Sequence, residues 1–119
     1  MQRLIYALDL QDDPHAIAEY EAWHRADRIW PGVVASLRAA GIAELEIYRT
    51  GTRLMLIIEA PDDFSPEQKA RADAANAEVQ QWEKLMWLFQ RPLPGSPPGQ
   101  KWVPMQRIFA LSQMPPPVD

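Results

Sequence analysis

Residues 43–60 read AELEIYRTGTRLMLIIEA, and no other stretch of the chain restricts its fold as much. The first half alternates, with Leu45 and Ile47 on one face and Glu46 and Tyr48 on the other, which is the period of a half-buried strand. The second half, RLMLIIEA, is almost continuously apolar, as a strand buried on both faces must be. Between them Gly51 supplies the permissive residue of a tight hairpin turn. One alternating and one apolar strand in an antiparallel pair require further strands and a cover.

The flanking sequence supplies both. RLIYALDL, from Arg3 to Leu10, is a first strand that stops at the polar QDDP. Asp13 followed by Pro14 starts a helix, with Asp13 as N-cap and proline at the first helical position. HAIAEYEAWH then places Ile17, Tyr20 and His24 on one helical face. The residue before a proline disfavours helix, so the chain breaks between Asp27 and Trp30. PGVVASLRAAG resumes as a second helix, with Val33, Leu37 and Ala40 in one stripe and Gly41 as its stop.

Beyond the hairpin, SPEQ at 65–68 is a capping box. It opens a helical region reaching Phe89 with an interruption at Asn76, and Val79, Trp82, Met86 and Phe89 share one stripe. RPLPGSPPGQ is a proline and glycine loop, longer than ordinary connections. KWVPMQRIFAL is expected to close the domain as a last strand, with Pro104 at an edge or bulge. A single domain over 1–112 followed by a proline-rich tail over 113–119 is therefore expected.

The order strand, helix, strand, strand, helix, strand is the ferredoxin-like split βαβ arrangement, an α+β fold. It predicts a four-stranded antiparallel sheet with the helices on one face. A second copy of the chain is the expected cover for the other face, giving a dimeric α/β barrel, with the pocket between that face and its surroundings.

Composition removes several classes of function. A net charge of −4 with a pI near 5.1 argues against a nucleic-acid partner, which demands clustered basic residues. The absence of cysteine excludes disulfides, thiolate nucleophiles and zinc knuckles, and two histidines make a histidine-rich metal site improbable. The apolar N-terminal run is too short for a signal peptide, and no stretch approaches a membrane span, so a soluble cytoplasmic protein is expected.

Among the residues that could carry chemistry, His24 comes first, because only histidine titrates near neutral pH without perturbation. It is either a satisfied histidine at a helix end or an acid–base group. Tyr20 stands one turn earlier on the same face, and Trp30 follows just past the helix break, so aromatics and imidazole can converge. His15, beside Asp12 and Asp13, reads as a surface residue. Tyr48 is either a dimer-interface tyrosine or a substrate contact. Trp82 belongs to a core stripe, yet an indole face also suits the apolar side of a sugar ring. Glu83 is a solvated charge or a hydroxyl acceptor, and Trp23 and Trp102 read as packing. With no phosphate loop, nucleophile elbow or dinucleotide fingerprint, catalysis here would be cofactor-free acid–base chemistry.

EYEAWH, IWP followed by a helix ending in AAG, EIYRT, VQQWEKLM and QRIFAL occur in this order over nearly the whole chain. In that ordered set the chain resembles the rhamnose mutarotase family. The resemblance implies a ferredoxin-like fold that dimerises through its sheets, no cofactor, and a monosaccharide substrate. It also implies that His24 is a proton donor and that Tyr20, Tyr48 and Trp82 contact sugar. Two departures stand out. Rhamnose-type members carry a second sugar-contacting tryptophan where this chain has Glu83, and the run RADR makes the stretch from His24 to Trp30 longer. Glutamate at that position and the segment RPLPGSPPGQKWVPM look more like the members assigned to L-fucose.

The function expected is thus interconversion of the α and β anomers of a 6-deoxyhexose, L-fucose first and L-rhamnose next. Tyr20, Tyr48, Trp82, Trp30 and Glu83 are expected to bind the sugar, with Tyr20, Tyr48, Glu46 and Glu83 all open as the general base. The alternatives are a cofactor-free oxygenase or lactone isomerase of the same fold, distinguished by a drier pocket, and a non-catalytic sugar-binding module.

Overall fold

A computed structural model describes residues 1–117 of the chain, so positions 118 and 119 of the expected tail lie outside the described residues. Strand β1 spans Gln2–Leu10, helix α1 Pro14–Trp23, helix α2 Pro31–Ala39, and strands β2 and β3 Glu44–Thr50 and Arg53–Ala60. Helices α3 and α4 follow at Pro66–Ala74 and Ala77–Trp87, then short strands β4 at Gln90–Arg91 and β5 at Val103–Pro104. A single 3-10 turn spans Leu111–Gln113. No helix among the described residues is long and apolar enough to cross a membrane.

The local signals act as the sequence predicts. The Asp13 carboxylate accepts from the backbone N–H groups of His15 and Ala16, and Ser65 Oγ accepts from that of Gln68. Asn76 divides the second helical region by capping α4, its side chain accepting from Glu78 and Val79. Such caps satisfy donors that the first helical turn leaves free. Gly51 turns the β2–β3 hairpin at a φ of +56°, where a Cβ would be strained.

The sheet is antiparallel in the order β2-β3-β1-β4, as the split βαβ arrangement requires, and β5 also pairs with β1. Opposed residues share a face. The register Leu45↔Ile58, Ile47↔Leu56, Leu4↔Ile58, Tyr6↔Leu56 and Leu8↔Leu54 therefore builds one apolar surface. Helices α1, α2 and α4 cover it, joining Tyr20, Val33, Trp82, Met86 and Phe89 to Leu10 and Leu54 in one cluster. Leu8 and Leu54 are fully buried, and each contributes about 1.5–3 kcal/mol relative to exposure.

Two expectations need correction. β3 is central but not buried on both faces: Met55 and Ile57, on the reverse side, are only partly buried, and Tyr48 beside them is 51% exposed. The last strand is also much shorter than 101–111. β4 already occupies the β1 edge opposite Asp9 and Leu10, and β5 resumes it opposite Tyr6 and Ala7. The proline-rich segment is an excursion from one edge position. After Met105 N–H donates to the Ile5 carbonyl, the chain leaves β1. Pro104 has no N–H to give, and Ile108, Phe109 and Leu111 find no face of this chain, remaining 93%, 63% and 78% exposed. The radius of gyration is accordingly 16.3 Å, against about 13–14 Å for a compact chain of this length.

Candidate active site

The end of α1 shapes the site. The backbone N–H of His24 donates to the Glu21 carbonyl instead of reaching back one full α-turn to Tyr20. The Tyr20 carbonyl is thereby left for the imidazole, whose Nδ1 lies 2.7 Å from it. A carbonyl only accepts, so Nδ1 carries the proton and Nε2 presents its lone pair. Burial lowers the pKa of His24 from its ordinary value, the contact with the Tyr20 carbonyl opposing that shift. The resting imidazole is therefore neutral at neutral pH.

Aromatic rings hold this imidazole on two sides. The Tyr20 ring centroid is 4.6 Å from that of His24, and Trp82 meets His24 edge-on at 5.5 Å. Tyr20 is itself buried, and its hydroxyl accepts from Gln90 Nε2 at 3.2 Å. Burial raises the Tyr20 pKa, with the Gln90 contact opposing, so the phenol stays protonated.

These groups face a cavity of about 320 Å³ between the helices and the sheet. Ile47, Leu56 and Val33 give it apolar walls, while Tyr20, His24, Glu83, Gln90 and Lys101 supply polar groups. That mixture, apolar walls with a few convergent polar atoms, is typical of small-molecule sites. Lys101 returns from the proline-rich excursion, its ammonium over the Trp87 ring at 4.7 Å and donating to the Glu83 carbonyl at 3.3 Å. Desolvation lowers its pKa, with Glu83 opposing. An adjoining hollow shares Tyr20, His24, Leu45 and Ile47 and adds the ion pair of Arg49 with Glu21. Among the described residues no cluster of histidine, aspartate and glutamate could hold a metal ion.

Tyr20, His24, Trp82 and Glu83, each expected to meet the substrate, thus line one cavity, and His15 is exposed as expected. Trp30 packs edge-on against Trp82 at 5.3 Å and is not a wall of the cavity. The RADR run lies in a turn, where Arg25 pairs with Asp27 and the Arg28 guanidinium lies 4.2 Å over the Trp23 ring. Tyr48 borders the adjoining hollow, but its hydroxyl donates to Glu46 Oε2 at 3.2 Å on the reverse face. The pocket lies under the helices, not on the uncovered face, because Tyr20, His24 and Trp82 all belong to the helical layer and look toward Leu45 and Ile47.

Sequence reasoning missed Gln90, Lys101 and Trp102 as cavity residues. Gln90 carried a signal: it stands four residues after Met86, a polar residue continuing an apolar stripe. Lys101 and Trp102 carried none, since their position depends on the excursion folding back.

A family model described as L-rhamnose mutarotase matches residues 3–111. The L-fucose mutarotase of Xanthomonas campestris pv. campestris is 57% identical over 113 residues, covering 95% of this chain and 90% of that protein. The L-rhamnose mutarotase of Acidiphilium cryptum is 32% identical, with 88% and 95% covered. Among solved structures, L-rhamnose mutarotase FA22100 from Formosa agariphila superposes with a TM-score of 0.67 at 21% identity, covering 93% of this chain and 99% of that one. The last of these bears on the fold alone.

Proposed function

The chain belongs to the L-rhamnose mutarotase family, a family of sugar isomerases, and we propose that it interconverts the α and β anomers of L-fucose with His24 as the proton carrier. The 57% identity to an L-fucose mutarotase supports fucose over rhamnose. The observation that carries the mechanism is the contact between His24 Nδ1 and the Tyr20 carbonyl. It leaves Nε2 as the one ring nitrogen free to meet a ligand.

The anomeric carbon bears a hydroxyl, O1, and the ring oxygen, O5. Neutral His24 takes the O1 proton at Nε2 and passes it to O5 as the C1–O5 bond breaks, giving the open aldehyde. Rotation about C1–C2 presents the other carbonyl face, and the same transfers in reverse close the ring. No atom is gained or lost, and one imidazole near neutral pH can serve as both base and acid. The Tyr20 hydroxyl and the Glu83 carboxylate are the sugar-binding polar groups beside it, and Trp82 is the apolar platform. Tyr48 and Glu46, engaged with each other on the reverse face, are not the general base in this scheme. The polar side chains around this cavity, Tyr20, His24, Glu83, Gln90 and Lys101 among them, support a hydroxylated substrate over the flat apolar ones of an oxygenase or lactone isomerase.

Saturation-transfer NMR of anomer exchange tests the proposal. L-fucose exchange should accelerate more than L-rhamnose exchange. Unchanged exchange with both sugars refutes the mutarotase activity, and binding without exchange leaves only a sugar-binding module.

The proposal includes a homodimer. Tyr48, Met105, Ile108, Phe109 and Leu111 are large apolar residues between 51% and 93% exposed. A monomer rarely leaves so many in water. A second copy placed against the reverse face of the sheet covers them and completes the α/β barrel.

A further inference from the structure

Gln90 has no part in the proton transfers, yet it is only 3% exposed and lines the same cavity as His24. Its backbone lies in β4 opposite Leu10, and its side chain crosses to Tyr20. The amide is half used. Nε2 donates to the Tyr20 hydroxyl, whereas Oε1 is buried with no hydrogen-bond partner among the described residues. A buried acceptor left empty is costly, and methionine or leucine would fill this position of an apolar stripe without that penalty. Packing therefore does not account for the glutamine.

The direction of the bond does. A phenol that accepts from an amide keeps its own proton to give elsewhere. Tyr20 lines the cavity with its ring 4.6 Å from the imidazole, so a sugar held in that cavity would bring its oxygens to this hydroxyl. We propose that Gln90 is a positioning residue: by occupying the acceptor side of the Tyr20 hydroxyl it turns that hydroxyl into a donor toward a sugar oxygen next to the reacting centre. The role rests on the mutarotase activity proposed above. It also explains why an amide, with a donor to spare, stands here instead of a carboxylate. A carboxylate would draw the Tyr20 proton to itself.

The test is a cycle of Gln90→Met, Tyr20→Phe and the double variant, with kcat and KM for L-fucose from exchange NMR and the Tyr20 13Cζ resonance from labelled protein. Gln90→Met should lower kcat/KM by about tenfold, the worth of one directed hydrogen bond. The double variant should be no worse than Tyr20→Phe alone. Gln90→Glu, which keeps a polar side chain should the methionine fail to fold, should fall to the level of Tyr20→Phe. Wild-type kcat/KM in Gln90→Met, or losses that multiply in the double variant, overturns the role. The resonance reads the contact without activity: an identical Tyr20 shift in wild type and Gln90→Met also overturns it. A wild-type protein that leaves fucose exchange unchanged counts against the mutarotase activity itself, with the Tyr20 resonance still deciding the contact.

Discussion

His24 donates from Nδ1 to the main-chain carbonyl of Tyr20 at 2.7 Å, a carbonyl that the last turn of α1 leaves open. One contact both caps the helix and selects the tautomer. The two duties can be separated by mutation. Asparagine at 24 can still donate to the carbonyl but has no second nitrogen to carry a proton. His24→Asn should therefore fold with nearly wild-type thermal stability while losing about a hundred- to ten-thousand-fold in anomer exchange. Substantial exchange in that variant removes His24 from the mechanism.

The pH dependence follows from burial. His24 has its pKa lowered in the folded protein, chiefly by desolvation. Below the unfolded value of about 6.5 the unfolded chain binds the proton first. This group's contribution to stability is thus complete above about pH 6.5, declines as pH falls below it, and levels off beneath the folded pKa. Exchange rates should show an acid limb in that same region, because the proposed base is the neutral imidazole. Chemical denaturation and exchange NMR between pH 4 and 8 check both, and an acid limb retained in His24→Asn refutes the assignment.

Trp82 is both core and wall. It is 8% exposed and touches His24 and Trp30 edge-on. Trp82→Ala should cost about 3–5 kcal/mol in unfolding free energy. Trp82→Phe should fold with a much smaller loss but raise KM for the sugar, since the platform shrinks while the core stays filled. Denaturation and exchange kinetics on the two variants separate the roles.

In the proposed function Glu83 is a hydroxyl acceptor. It lines the cavity next to Trp82. Glu83→Trp would remove that proposed acceptor and put an aromatic face in its place, so the ratio of kcat/KM for L-fucose to that for L-rhamnose should fall by about tenfold or more, one charged hydrogen bond's worth. An unchanged ratio dissociates this position from sugar choice.

The C-terminal arm bears on assembly. Ile108 and Phe109 are 93% and 63% exposed. The wild-type chain should sediment as a dimer at micromolar concentration, and Ile108→Glu combined with Phe109→Glu should shift it to monomer without changing its far-UV circular dichroism. A wild-type monomer, or a variant that stays dimeric, contradicts the proposed cover.

Much of this was legible along the chain. Asp13 and Ser65 announced helix starts, and Asn76 an interruption, because a cap is satisfied within two or three residues of itself. The hairpin and its alternation set β2 and β3, and the spacing of Tyr20 and His24 put them on one face. Even the role of RADR, obscure in sequence, turned out to be local, a turn with Arg28 stacked on Trp23.

What the tertiary structure alone decided is where those local pieces meet. Alternation separates Tyr48 from Ile47 but cannot say which side of the sheet encloses a cavity. Packing of α1, α2 and α4 on Leu45, Ile47 and Leu56 chose the helical side and left Tyr48 with Glu46 outside. Nor could spacing reveal that the chain leaves β1 after Gln90–Arg91 and returns at Val103. That closure carries Lys101 into the cavity, and packing of α1 against the start of β4 sets Gln90 against Tyr20, seventy residues away. Sequence determines whatever is satisfied within a turn of helix or a pair of neighbouring strands. A site built from groups far apart in the chain exists only once burial has forced them together.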